Sequence, residues 1–565
     1  MSSPEAIKSQ RLKHLATLLF LSLLVFLPGL ANMPVIDRDE ARYAQASVQM
    51  AESGDLLNIR FQDEARNKKP AGIYWLQTGA LKIFSNDSQP KIWAVRLPSV
   101  FGALLAVFAL YWGAARMIGR NGAFIAAGML ALSMLMIFEA HIAKTDAILC
   151  GLSALCLGAL AHIRNGGGAK SAWVFWTALG AAIMIKGPVL PILATLTLIT
   201  LALWERLNGW MRTLVNLPAI IVFLLLWVPW AIAIYRETDG AFFTESLGKD
   251  FGGKLISAQE NHAGPPGYYL GTIWLTFWPA CLLLIPGFAF AARAIKNSKD
   301  SDAPVIKAMR LCAAWIFPYW ILIELVPTKL PHYPLPLFPA LSVICAVAAL
   351  TLIATKEFSV TRRINAVLFL LASLVFIGSI MAAQSYFGDI NMTYYILAGA
   401  SGFCAIIATF ALWQSHMKLA LITAALSTLI LSIPSYQFIM PGLTELRVAD
   451  KVVDALRAKN IKLPREGGPD ILSINFTEPS LVYRLGARVK LGKQGDYLDM
   501  NALKSGRIIL IDEIPQTGED RLTLLMAAAS SAAICLDTDT KIEGFNYAKG
   551  DEVKINLIRQ KPCTP

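Results

Sequence analysis

Apolar runs close to the ~20 residues that span a hydrocarbon core recur from Leu15 to Tyr436, and no other feature limits the chain's fold so strongly. About thirteen such runs are present, which predicts a mainly α, polytopic membrane helix bundle. Composition agrees: 55% of the 565 residues are apolar and only 16% are charged, against about 25% charged in soluble domains. Mean hydropathy is +0.52.

A net charge of +12 would fit nucleic acid if the cations were clustered, but they fall in short blocks between apolar runs and are better read as topology signals. Lys8, Arg11 and Lys13 precede the first run, and Arg116 with Arg120, Arg164 with Lys170, and Arg206 with Arg212 occupy every second connection after it. Arg293 to Arg310, Lys356 to Arg363 and Lys418 continue the series. The positive-inside rule then expects a cytoplasmic N-terminus, and an odd number of spans puts the C-terminal region on the outer side. The first run lacks a small-residue cleavage pattern and is expected to be retained. Six of the eight cysteines lie in apolar runs, where cysteine acts as a small hydrophobe. Cys535 and Cys563 lie in the outer region, where a disulfide is permitted.

The outer connections hold most of the ionisable side chains. Just beyond the first apolar run stands Asp37-Arg38-Asp39-Glu40-Ala41-Arg42-Tyr43. Asp37 with Glu40 resembles a capping box, and a helix over Asp39 to Ser53, stopped by Gly54, places Asp39, Arg42 and Tyr43 on one face. A capped surface helix would account for these residues equally well. Further along, Arg60 to Trp75 is charged and then turns abruptly apolar, so Ile73 to Phe84 suits a helix lying in the membrane interface, with Lys68 and Lys69 at headgroup level. Ordinary interfacial anchoring is the plain alternative.

Phe138 to Asp146 joins two apolar runs without Gly or Pro, leaving Glu139, His141, Lys144 and Asp146 close to membrane depth, where ionisable groups are functional candidates. Lys186 stands at another outer boundary beside Gly187-Pro188. The connection Arg236 to Pro266 is long and irregular enough to cover a site, and it contains His262, which taken alone is more often a satisfied polar residue than a ligand. Pro327 to Pro336, with four prolines, presents Lys329, His332 and Tyr333 as a polar rim; a proline-broken helix end with a snorkelling lysine is the simpler reading. After Tyr436 short β-type runs (Ile471 to Phe476, Arg507 to Asp512) alternate with helical patterns (Val448 to Lys459, Asp520 to Ser530), as in a small α/β domain. The division expected is a membrane domain over 1–440, with outer loops 31–91 and 236–267 covering a site, and an accessory α/β domain over 441–565.

Asp39-Glu-Ala-Arg-Tyr-Ala44, Lys69-Pro with Tyr74-Trp75, Thr145-Asp146, Lys186-Gly-Pro188 and Lys329-Leu-Pro-His-Tyr333, in this order, resemble the ArnT and protein-mannosyltransferase branch of the GT-C superfamily. That resemblance implies an integral membrane glycosyltransferase that moves a monosaccharide from a polyprenyl-phosphate donor to lipid A or lipopolysaccharide core. It also implies a bacterial-type inner membrane location, with the active site and C-terminal domain periplasmic. Asp39 and Asp146 match the catalytic carboxylates and Lys69 the lysine on the donor phosphate. Arg42, Arg60, Lys329 and Tyr333 become helpers for the phosphate, and Glu40, Tyr43, Lys186 and His262 substrate contacts. The partners expected are the donor, a glycolipid acceptor and membrane lipids around a monomer, with no nucleic acid and no cofactor. Some relatives carry a metal-ligating Glu before the Lys-Pro pair, where this chain has Lys68; a cation there repels a metal, so no metal is expected through that position. Transfer to secreted protein is the runner-up. A transporter would be expected to show internal repeats, which are not seen. A membrane-anchored binding protein worked by its outer domain is the third reading.

Overall fold

The computed structural model describes residues 4–35, 38–85, 90–205, 209–256, 263–297, 303–355, 359–492, 496–513 and 521–563. The chain opens with α1 (Pro4–Phe26), α2 (Arg38–Ser53), a two-residue hairpin of β1 (Arg60–Phe61) and β2 (Glu64–Ala65), and α3 (Gly72–Phe84). Then follow α4 (Ile92–Leu132), α5 (Met134–Ala140), α6 (Asp146–Arg164), α7 (Ala169–Lys186) and α8 (Val189–Trp204). Nine helices among the described residues are long and apolar enough to cross a membrane.

The longest, α4, has 41 residues, about 60 Å at 1.5 Å per residue and twice the thickness of a hydrocarbon core. It is two helices. Gly119 sits at φ 74°, ψ 170°, a conformation open to glycine, and the chain reverses there. Tyr111 and Phe124, which a straight helix would hold about 20 Å apart, both pack on the ring of His14, with centroids 5.9 and 4.6 Å away. Arg116 and Arg120 flank the reversal, as a basic connection should. With α4 divided and the shorter apolar helix α8 added, eleven apolar helical segments are present among the described residues, fewer than the roughly thirteen runs counted in the sequence, and together they form the expected helix bundle.

Burial separates the centre of the bundle from its rim. The apolar window of α6 is 89% buried, whereas those of Leu217–Glu237 and Ser359–Phe387 are 17% and 22% buried. The rim helices turn apolar side chains outward, and with every backbone group bonded within the helix they tolerate lipid. The central α6 carries Asp146 at its first position. Gly72, opening α3, brings the helix so close to α7 that a Cβ would stand 2.6 Å from the Met184 carbonyl oxygen.

The C-terminal domain is a five-stranded sheet in the order β4-β3-β5-β7-β6, built from β3 (Ile471–Ile474), β4 (Val489–Leu491), β5 (Ile508–Asp512), β6 (Cys535–Asn546) and β7 (Asp551–Lys561). β3 is parallel to β4 and β5, and β7 is antiparallel to β5 and β6. Val448–Ala458 and Arg521–Ser531 are helical, close to the bounds expected. Cys535 and Cys563 are disulfide-bonded. The domain is fastened to α2 and its surroundings: Arg38 donates to both oxygens of Glu478 at 2.8 and 2.6 Å, Arg465 to Glu52 at 3.0 Å, and the Tyr483 hydroxyl to the Pro90 carbonyl at 3.2 Å.

Candidate active site

Helix α2 is set by the two opposite sides of its first turn. Asp37 lies outside the described residues. Glu40 does not turn back to cap the helix: both its oxygens accept from Arg96 of α4, at 2.8 and 2.9 Å, and one also accepts the Ala143 backbone N–H at 2.9 Å. Glu40 and Arg96 are both fully buried. The same guanidinium donates to the carbonyls of Leu30, Met33 and Pro34. This clamp fixes where α2 begins and holds the bend between α5 and α6. Ser99 Oγ adds a hydrogen bond to the Ile142 carbonyl at 2.6 Å.

With Glu40 turned inward, Asp39 faces the opposite way. It sits 3.7 Å from Arg42 with its side chain 47% exposed. Burial raises its pKa, but the positive charges facing it, Lys144, Arg66 and Arg42 foremost, outweigh burial and hold it below the ordinary carboxylate value. Tyr43 stacks on Tyr74 at 5.4 Å with the Arg66 guanidinium 5.2 Å over its ring. Across the cavity, Asp146 accepts from Lys186 and lies 4.0 Å from His332 Nε2. Burial pushes His332 down to about 3, so its imidazole is neutral at pH 7. Lys144 is 3.5 Å from Glu139.

The third group comes from the outer connection. Asp250, in the π-helical stretch Thr244–Gly252, accepts from Lys69 at 2.6 Å and from Lys254 at 2.8 Å. Burial opposes its ionisation, yet the two ammonium groups hold the carboxyl down to about 2. For Lys69 burial prevails over the attraction of Asp250 and lowers its pKa.

These groups surround two adjoining cavities. The first, of about 140 Å³, is lined by Asp39, Tyr43, Lys69, Asp146, Lys186 and Tyr333 from the expected set, by Lys144, Asp250, Lys254 and His332, and by apolar residues such as Leu149, Ile192 and Leu322. The second, of about 470 Å³, is lined by Arg38, Asp39, Glu40 and Arg42, by apolar side chains of α5 and its surroundings, and by Tyr547 and Ala548 of the outer domain. Asp39, Lys144, Leu330 and His332 belong to both.

Seven of the expected residues therefore converge: Asp39, Arg42, Tyr43, Lys69, Asp146, Lys186 and Tyr333. Others do not present their functional groups there. Glu40 touches the second cavity, but its carboxylate is committed to Arg96. Lys329 turns away; its ammonium donates to the Ile323 and Glu324 carbonyls at 2.9 and 2.6 Å and lies 5.4 Å over the Tyr269 ring, tying off the end of the helix Pro304–Leu325. Arg60 is exposed in β1 and lines neither cavity. His262 lies outside the described residues. Sequence reasoning missed Asp250 and Lys254, and it placed Lys144 and His332 nearby without assigning them to the site. The i, i+4 spacing of Asp250 and Lys254 was the available signal.

Among the described residues, one trio has ligand atoms close enough to hold a metal ion: Glu139, Asp146 and His332, all within 4.8 Å of one another. Both carboxylates already face ammonium groups, those of Lys144 and Lys186, which would repel a dication. Lys68 is exposed and lines neither cavity.

Residues 68–232 match the family described as dolichyl-phosphate-mannose-protein mannosyltransferase. The chain is 26% identical over 372 residues to the undecaprenyl phosphate-α-4-amino-4-deoxy-L-arabinose arabinosyl transferase of Enterobacter sp. (strain 638), covering 64% of each chain. It is 28% identical over 324 residues to the protein of that name in Pseudomonas aeruginosa, covering 55% of each. The alignments thus span less than two thirds of these relatives. Among solved structures, ArnT from Cupriavidus metallidurans in the apo state superposes with a TM-score of 0.69 at 18% identity, over 98% of each chain. The same protein bound to undecaprenyl phosphate superposes at 0.68. An oligosaccharyltransferase from Archaeoglobus fulgidus superposes at 0.53 and 12% identity, over 86% of this chain and 64% of its own. The fold of this chain is thus the one seen in ArnT, helix bundle and small C-terminal domain together.

Proposed function

We propose that this protein is an integral membrane glycosyltransferase that moves a monosaccharide from a polyprenyl-phosphate-sugar donor to lipid A or lipopolysaccharide core at the periplasmic face of a bacterial inner membrane. The observation that carries the reading is the convergence of Lys69, Lys186 and Lys254 with Asp39 and Asp146 on one cavity at the head of the buried helix α6. In the transfer an acceptor oxygen bonds to the anomeric carbon while the bond from that carbon to the phosphate oxygen breaks, and the electron pair leaves with the polyprenyl phosphate. The lysines offset the charge that collects on this leaving group. Asp39, held ionised, takes the proton of an attacking hydroxyl, or orients an acceptor phosphate that needs no base. A single displacement inverts the anomeric centre. Asp39 stands between the two cavities, so the reading assigns the lysine-rich one to the donor and the wider one to the acceptor. The names of the sequence relatives support an undecaprenyl carrier. The Cys535–Cys563 disulfide supports a periplasmic outer domain, and the basic residues flanking Gly119 support a cytoplasmic face opposite the site.

Mass spectrometry of envelope glycolipids and proteins tests this in cells with the protein, without it, and with Asp39→Asn. A sugar-sized mass should disappear from the glycolipids in both the deletion and the variant. Unchanged glycolipids, or a loss confined to proteins, would refute the reading.

A further inference from the structure

We propose that the hairpin joining β6 and β7 is a working wall of the acceptor cavity, and that Tyr547 on it selects for a glycolipid headgroup; this rests on the proposed transfer reaction. The outer domain is then part of the site and not merely attached to it.

Three observations converge. Tyr547 and Ala548 line the second cavity together with Asp39 and Arg42. Leu135, Phe138, Ile142 and Met440 line the same cavity together with Glu139, Lys144 and His332, so apolar and charged side chains share one space, which suits a molecule with acyl chains and a polar sugar headgroup. Tyr547 is 43% exposed, outside the packed cores of its own domain, and a tyrosine offers a flat apolar face and a hydroxyl, as an interface between acyl chain and saccharide demands.

The hairpin is also held in register with the site. Asn546, 5% exposed, donates to Glu478 Oε1 at 2.9 Å and accepts the Ala548 N–H at 3.1 Å. Glu478 is the carboxylate that grips Arg38, the neighbour of Asp39. One buried carboxylate therefore fixes both the residue before Asp39 and the residue before Tyr547. Attack on the anomeric carbon comes from the side opposite the leaving phosphate, so an acceptor reaching Asp39 from the second cavity occupies the space that Tyr547 also lines.

The test uses the full chain in detergent, with undecaprenyl phosphate and a hexa-acylated, bisphosphorylated glucosamine disaccharide as probes, read by native mass spectrometry. Tyr547→Ala should weaken binding of the disaccharide lipid about tenfold, roughly the worth of one aromatic contact. It should raise the acceptor KM more than it lowers kcat and leave undecaprenyl phosphate binding unchanged, while Tyr547→Phe keeps most of the affinity. Ala548→Trp, which fills the cavity without removing the tyrosine, should block the disaccharide lipid alone. Unchanged acceptor binding in both Tyr547→Ala and Ala548→Trp, or an equal fall for both probes, would overturn the assignment. A wild-type chain that binds neither probe would instead overturn the transfer reaction itself.

Discussion

Replacing Arg96 with methionine should damage this protein more than replacing most residues that line its cavities. The guanidinium donates two hydrogen bonds to Glu40 and three to the carbonyls of Leu30, Met33 and Pro34, and neither charged partner is exposed. Removing one partner of a buried ion pair costs about 3–5 kcal/mol, because the other charge is left without compensation. Three carbonyls lose their donor at about 1 kcal/mol each, so the expected loss is about 5 kcal/mol or more. Replacing Glu40 with leucine in the same chain removes the stranded carboxylate and leaves chiefly the orphaned carbonyls and the Ala143 N–H, so the double variant should be more stable than Arg96→Met alone. The coupling between the two sites should reach about 3 kcal/mol. Reversible unfolding in mixed micelles, followed by tryptophan fluorescence, measures all three variants against wild type. An Arg96→Met variant within about 1 kcal/mol of wild type, or a double variant no better than the single, would refute the clamp. Glu40→Gln then separates the two roles considered for Glu40: a clamp residue loses stability with the acceptor KM nearly intact, whereas a substrate contact raises KM in a stable protein.

Asp250→Asn should tighten undecaprenyl phosphate binding about tenfold, since Lys69 and Lys254 no longer have a carboxylate to exchange for the ligand; unchanged or weaker binding in calorimetry would show that Asp250 is not displaced. His332 is held near 3 by burial, against the pull of Asp146, and an unfolded histidine titrates near 6.5. Between those values the unfolded state binds the extra proton, so stability is present above pH 6.5 and falls on acidification, by about 2 kcal/mol at pH 5. His332→Asn should flatten that part of the unfolding profile, and an unaltered slope would contradict the burial argument. Cys535→Ser opens the loop closed by the disulfide, whose ends are 28 residues apart, and should cost the outer domain about 3 kcal/mol. In intact spheroplasts of a wild-type strain, a membrane-impermeant maleimide should label this pair only after reduction; failure to label after reduction would contradict the periplasmic placement.

Much of this was legible because it depends on local pattern. The apolar runs foretold the bundle, and Arg116 and Arg120 marked a connection that the structure makes at Gly119 inside what would otherwise be one helix. Local pattern placed Lys69, Asp146, Lys186 and Tyr333 at the ends of apolar runs and Asp39 just beyond the first, but it was the resemblance to the ArnT and protein-mannosyltransferase branch that grouped them into one site. Long-range pairing was not legible. Arg96 lies 56 positions from Glu40, and nothing in either neighbourhood distinguishes a buried clamp from an interfacial charge. Lys329 and His332 share one proline-rich segment, and which of them enters the cavity depends on backbone turns that residue type alone does not determine. The i, i+4 spacing of Asp250 and Lys254 was visible, but nothing local ties that pair to Lys69, 181 positions from Asp250.

The pairing of charges in the donor cavity also indicates how a phosphate can enter it. Asp39 faces Arg42, and Asp146 and Asp250 face lysines of the cavity, so a ligand anion must take the place of one of these carboxylates or add to the set already there. Asp146 heads the most buried helix of the bundle and is joined to Lys186 at the end of α7, so its displacement would move two packed helices. Asp39 is held by its chain neighbours, with Glu40 clamped to Arg96 and Arg38 gripped by Glu478. Asp250 differs from both, for it sits in the π-helical stretch Thr244–Gly252 of a connection and not at the head of a packed helix. Exchange of the Asp250 carboxylate for a donor phosphate on Lys69 and Lys254 keeps every lysine paired throughout.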